Sequence, residues 1–215
     1  MIEKYSFSKA GNGHENEDEI CVKEHIKDKE VMVCALADGQ GGQFGGGRAA
    51  KVAVEKSIEI VMQYSIEQLT KRQTWEKIIS LTDEAVNEDK EAGYTTLVSL
   101  CVIENWVYGA SVGDSAASVL SSGKKILLTE RQRKNPPVGS SGALSEFFCF
   151  KLVKPWKVLV MSDGVWKYVG WDCIFNTSSS FNGQSIIDNL FSSITDFQRN
   201  YLPDDFSIVL LQDLF

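Results

Sequence analysis

Apolar residues along this chain fall either into alternating and continuous runs or into positions stepped by three and four. Residues 3–9 alternate, with Tyr5 and Phe7 on one face, and predict a strand; a second short strand fits 20–26. The stretch 31–37, VMVCALA, is continuously apolar and predicts a strand buried on both faces. Val54, Ile58 and Val61 then step at i, i+4 and i+7 and predict a helix of about four turns. Trp75, Ile78, Ile79, Thr82, Ala85 and Val86 repeat the step in a second helix. Residues 96–103, 106–112 and 116–120 predict three strands joined at Asn105 and Gly113-Asp114, with a weaker strand at 125–128. Strands return at 147–153 and 157–161. The last helix gathers Ile186, Ile187, Leu190, Phe191, Ile194 and Phe197 on one broad face, and 206–211 closes the chain as a buried strand. The polar stretch 130–145, ERQRKNPPVGSSGALS, is broken by Pro136, Pro137 and glycines and predicts the least structured segment. Tandem helices with strands in hairpin-like runs predict an α+β fold with antiparallel sheets, in one domain spanning 1–215.

Charge narrows the function classes. Twenty-two basic against 29 acidic residues leave a formal charge of −7, which argues against a nucleic-acid partner, because duplex affinity rests on Lys and Arg neutralising phosphates. An apolar fraction of 43% with 24% charged residues suits a folded chain. No apolar run approaches the roughly 18 residues of a membrane span, and the first residues are too polar for a signal-peptide core. A cytoplasmic protein without a membrane partner is expected.

The five cysteines, Cys21, Cys34, Cys101, Cys149 and Cys173, are scattered among apolar neighbours with no Cys-x-x-Cys spacing. Reduced, packed thiols are expected, not a zinc site or disulfide framework. With only His14 and His25 and no Gly-x-Ser-x-Gly, a Ser-His-Asp or Cys-His mechanism has little to work with.

Carboxylates, by contrast, recur at the ends of buried strands. VMVCALA runs into Asp38-Gly39, WVYGASV into Gly113-Asp114, and KVLVM into Ser162-Asp163-Gly164; Glu17-Asp18 and Asp204-Asp205 stand just before two further strands. Each alone reads as a turn or a solvated loop. Together, at the ends of strands in stacked sheets, they converge and repel unless cations neutralise them. All-oxygen donor sets of this kind suit Mg²⁺ or Mn²⁺, and glycine after Asp38 lets a backbone carbonyl approach an ion. A pair of such ions would clamp a phosphate for in-line displacement. Gly45-Gly46-Gly47-Arg48-Ala49-Ala50 formally matches a dinucleotide fingerprint, but it lies too far from the preceding strand and two helices follow it without a strand between. A close-packed turn into the first helix is expected there.

Asn16-Glu17-Asp18, Ala37-Asp38-Gly39-Gln40-Gly41-Gly42, Gly93-Tyr94-Thr95-Thr96-Leu97, Val112-Gly113-Asp114-Ser115, Leu128-Thr129, Met161-Ser162-Asp163-Gly164 and Asp204-Asp205-Phe206-Ser207 occur in this order. In that order they resemble the metal-dependent protein phosphatases, the type 2C serine/threonine phosphatases, over nearly the whole chain. The resemblance implies a four-layer α-β-β-α sandwich with two central antiparallel sheets and metals in the cleft at one end. It implies hydrolysis of phosphoserine and phosphothreonine in protein substrates by a hydroxide bridging two Mn²⁺ or Mg²⁺ ions. Asp38 would bridge the ions, Asp163 and Asp204 would complete one site, and Glu17 with the Gly39 carbonyl the other. Asp18 would hold a water in place, and Asp114 with Asp163 would take a weaker third ion. A monomer in signalling is expected.

Departures from the pattern qualify this. Gly13 stands where the family usually has a phosphate-gripping arginine, leaving His14, Arg48, Arg131 and Arg133 as substitutes that nothing in the sequence separates. Gln40 stands where eukaryotic members often have His, and Ala116 where Arg is common. The compressed segment 130–145 replaces most of the usual flap, which predicts a shallow, open cleft, weak intrinsic substrate selection and no ordered lid. Gly13 also motivates the alternative of a pseudophosphatase or regulatory binding module of the same fold.

Overall fold

The continuous apolar run 31–37 lies in strand β3 (Asp28–Asp38), and its two faces go to different places. Val31, Val33, Ala35 and Ala37 enter one buried cluster, while Met32, Cys34 and Leu36 enter another. Successive side chains on a strand point to opposite faces, so a strand with a layer on each side is mostly apolar along its length. The computed structural model describes residues 1–13, 15–42, 44–197 and 201–214. His14 and the side chain of Phe197 lie outside the described residues.

Two antiparallel sheets of five strands form the centre. One has the order β2 (Asp18–His25), β3, β4 (Leu97–Ile103), β5 (Trp106–Val112) and β8 (Glu146–Lys151). The other has β1 (Glu3–Lys9), β10 (Phe206–Asp213), β9 (Trp156–Met161), β6 (Ala116–Ser121) and β7 (Lys124–Leu127). Between the sheets lie Leu36, Val98, Leu100, Val158, Val160 and Val209. Helices α1 (Gly46–Gln63), α2 (Ile66–Leu69) and α3 (Arg72–Glu88) cover the first sheet through Val54, Ile58, Val61, Trp75, Ile78 and Ile79. Helices α4 (Asp163–Val169), α5 (Trp171–Ser180) and α6 (Gln184–Phe197) cover the second through Val165, Ile174, Ile186, Ile187, Leu190 and Ile194. The result is the four-layer α-β-β-α sandwich. Each fully buried Val, Leu or Ile contributes about 1.5–3 kcal/mol, and three stacked cores hold the two sheets in fixed relation.

The sequence pattern missed three helices. Short α2 opens on a capping box between Ser65 and Gln68. The pair α4–α5 follows Asp163-Gly164, which reads as a turn, and is divided by Gly170 at φ 80°. Its helical state depends on docking: Val165 and Ile174 enter the core, and the Trp166 indole N–H donates to the Asp114 carbonyl at 2.9 Å. All five cysteines are free thiols. Among the described residues no helix is long and apolar enough to cross a membrane.

Antiparallel pairing sets the geometry of one end of the sandwich. Asp18 pairs with Asp38, Leu97 with Val112, Ala116 with Met161, and Lys9 with Phe206. The starts of β2, β4, β6 and β10 and the ends of β1, β3, β5 and β9 therefore meet at the same edge.

Candidate active site

At that edge the backbone is fixed before any carboxylate is aimed. The Asp38 amide donates to Thr96 Oγ1 at 2.9 Å, and its carbonyl accepts from Thr95 Oγ1 at 2.8 Å and the Thr96 amide at 2.9 Å. Asp205 grips the loop that delivers Glu17 and Asp18: its Oδ1 accepts from the Gly11 amide at 2.8 Å and its Oδ2 from the Glu17 amide at 2.7 Å. Of the acidic pair 204–205, which the sequence leaves undivided, Asp205 is thus buried and spent on backbone amides while Asp204 lines the cleft with a half-buried side chain. Backbone runs against backbone at the glycine-rich loop. A Cβ on Gly39 would stand 2.4 Å from the Gly46 backbone, and one on Gly46 would stand 2.8 Å from Glu17 Oε1. The match to a dinucleotide fingerprint is explained by this close packing of the turn into α1.

The strand ends enclose a cleft of about 460 Å³ lined by Glu17, Asp38, Gly39, Asp114, Asp163, Asp204 and Asp205. Burial pushes the Asp38 carboxyl well above the usual carboxylate range, and the charges of Asp18, Asp163, Asp204 and Asp114 push it further. Burial likewise raises Asp18, and burial with Asp163 raises Asp204. Among the described residues, neither carboxylate oxygen of Asp18 has a hydrogen-bond partner. The nearby Ser207 and Ser162 hydroxyls favour its charged form, but Ser162 Oγ donates to the Asp205 carbonyl and Ser207 Oγ is bonded to Ser8 Oγ. Acids gathered around one cleft, with Asp18 beside them unpartnered among the described residues, fit divalent cations: their donors are carboxylate oxygens, the chemistry of Mg²⁺ and Mn²⁺. Among the described residues, no three acidic, imidazole or thiol groups close around a common point, so the acids ring the cleft without forming a finished cage.

Cations are distributed differently from the sequence expectation. Arg48 is tied to Asp89 by bonds of 3.0 and 2.7 Å from Nε and Nη2, away from the cleft. Arg131 and Arg133 are exposed and do not line the cleft. Two lysines that sequence reasoning overlooked meet its acids instead: Lys134 lines the cleft, and Lys167 reaches two of the lining carboxylates. Lys134 Nζ lies 2.7 Å from Asp114 Oδ2, and Lys167 Nζ lies 3.8 Å from the same oxygen while also donating to Asp163 Oδ2. The two carboxylates expected to take a third ion therefore carry ammonium groups. Within segment 130–145, Lys134, Asn135 and Pro137 line one side of the cleft.

Paired antiparallel sheets between helix layers recur in solved structures. Serine/threonine phosphatase Stp1 from Staphylococcus aureus superposes with TM-score 0.83 at 20% identity, over 100% of this chain and 96% of that one. A bacterial serine phosphatase superposes with TM-score 0.80 at 19% identity, over 99% and 98%. RsbX, solved in complex with magnesium, superposes with TM-score 0.75 at 18% identity, over 98% and 94%. The protein phosphatase 2C family model matches residues 8–199, and the chain belongs to that family. A protein of Oryza sativa subsp. japonica named "Probable protein phosphatase 2C 52" is 30% identical over 115 residues, which are 51% of this chain and 22% of that protein. The chain thus aligns with about a fifth of the length of this relative.

Proposed function

We propose that residues 1–215 form one catalytic domain of a metal-dependent protein serine/threonine phosphatase, monomeric and cytoplasmic, acting on phosphoserine and phosphothreonine in signalling. The observation that carries this reading is the cross-strand pair of Asp18, buried, and Asp38, which lines the cleft, at one end of a protein phosphatase 2C fold. Glu17, Asp38, Asp163 and Asp204 would hold two divalent ions, whose chemistry there would be to ionise a water and neutralise the phosphate. Asp38 would contact both, Asp163 and Asp204 would complete one site, and Glu17 with the Gly39 carbonyl the other. The magnesium bound by RsbX supports a divalent ion. Asp18, buried without a partner, is available to accept a proton-bearing group and orient a water. Thr95 and Thr96 fix the Asp38 backbone so that its carboxylate keeps one direction. Hydrolysis of a phosphoserine peptide in Mn²⁺, abolished by chelator and by Asp38→Ala, tests the reading; activity that survives both removes it.

A second reading, a binding module that no longer turns over, is favoured by Gly13 and by the unclosed ring of acids. Metal binding by calorimetry without hydrolysis of any phosphopeptide distinguishes it.

A further inference from the structure

A phosphate monoester brings negative charge into a cleft whose lining holds six carboxylates, so a cation on this chain beside any metal favours binding. We propose that Lys134 binds the substrate phosphate, an inference that rests on the phosphatase reading. Among the described residues that line the cleft, Lys134 is the sole cationic side chain. Its ammonium has three donors; one meets Asp114 Oδ2 at 2.7 Å, which leaves two for an anion. With 67% of the side chain exposed, little hydration is lost before substrate arrives. A compact ammonium is a point charge suited to a phosphate oxygen.

Long side chains are poor ligands when they wander, and here both flanks of Lys134 are pinned. Before it, the Gln132 side-chain amide donates to the Ser115 carbonyl at 2.7 Å and the Arg133 carbonyl accepts from the Gly113 amide at 3.1 Å. After it, Val138 exchanges backbone bonds of 3.0 and 3.1 Å with Thr95. Buried Asp83 on α3 then accepts the amides of Gly139 at 2.6 Å and Ala143 at 3.0 Å. Asp114 fixes the tip. Of the other cations considered, Lys167 bridges Asp163 and Asp114 and lies over the Trp166 ring, Arg48 holds Asp89, and Arg131 and Arg133 do not line the cleft.

The test is a calorimetric titration of the Mg²⁺-loaded full chain with inorganic phosphate, alongside steady-state hydrolysis of a phosphoserine peptide. Lys134→Ala is expected to weaken phosphate binding by about tenfold or more and to raise KM more than it lowers kcat. Lys134→Arg should restore most of the affinity, and Arg48→Ala should leave it unchanged. Unaltered phosphate affinity in Lys134→Ala, no rescue by Lys134→Arg, or no measurable phosphate binding by the parent chain overturns the proposal. A chain that binds phosphate through Lys134 yet hydrolyses nothing keeps this inference and removes the phosphatase reading. An active enzyme indifferent to Lys134→Ala does the reverse.

Discussion

Asp18 and Asp38 are direct cross-strand partners at the shared end of β2 and β3, so two carboxylates face one another across a ladder in a buried setting. Like charges placed opposite each other destabilise a strand pair, and burial removes the water that would screen them. Protonation of these acids or positive charge between them relieves that repulsion.

Metal-free protein should therefore show an inverted pH response. Folded-state values of Asp38, Asp18 and Asp204 are raised above the ordinary carboxylate range. Between that range and the raised values the folded state binds more protons than the unfolded state, so stability falls as pH rises. The limit is about 1.4 kcal/mol per pH unit for each proton. Thermal melts in chelator should give a lower Tm at about pH 8 than at about pH 5, and added Mg²⁺ should raise Tm more at the higher pH. A chelated protein that grows more stable across this interval would contradict the electrostatic account.

Asp38→Asn should divide stability from activity. Without metal it relieves the repulsion and stabilises by roughly 1–3 kcal/mol, read from denaturant midpoints. With Mn²⁺ present it should lose both the metal-induced rise in Tm and hydrolysis of p-nitrophenyl phosphate.

The neighbouring acids 204 and 205 should separate in the opposite sense. Asp205→Ala strands the buried Gly11 and Glu17 amides and should cost about 3–5 kcal/mol, since each bond to a charged acceptor contributes about 1.5–3. Asp204→Asn should barely change the denaturation midpoint while lowering kcat/KM by more than about 100-fold, beyond the range for residues that only support a metal ligand. Equal effects on stability would mean that both acids are scaffold.

Asp83→Ala tests the wall of the cleft. It removes the acceptor for the Gly139, Ser141 and Ala143 amides and should cost about 3–5 kcal/mol. Proteolytic cutting within 137–143 should rise in step. A variant as stable and as protease-resistant as the parent would mean that the segment is held by its other contacts alone.

The strands were legible because a layer on each face leaves an uninterrupted apolar run, as in β3, and the acids at their ends stood out against it. Helices α4 and α5 were not, because Gly170 cuts the periodic pattern and the docking of Val165 and Ile174 supplies what local propensity lacks. Lys134 was overlooked for a related reason. Its place depends on Asp83, Thr95 and Ser115, far apart in the chain, and local composition marks 130–145 only as polar and broken. Arg48 stood out as a candidate while its partner Asp89, which takes it out of the site, is read only from the fold.

The central claim, that these acids gather divalent ions, is tested most directly by an anomalous difference map from crystals soaked in MnCl₂. Two peaks are expected within bonding distance of Asp38, one shared with Asp163 and Asp204 and the other with Glu17 and the Gly39 carbonyl. A map with no peak bonded to Asp38 would contradict it.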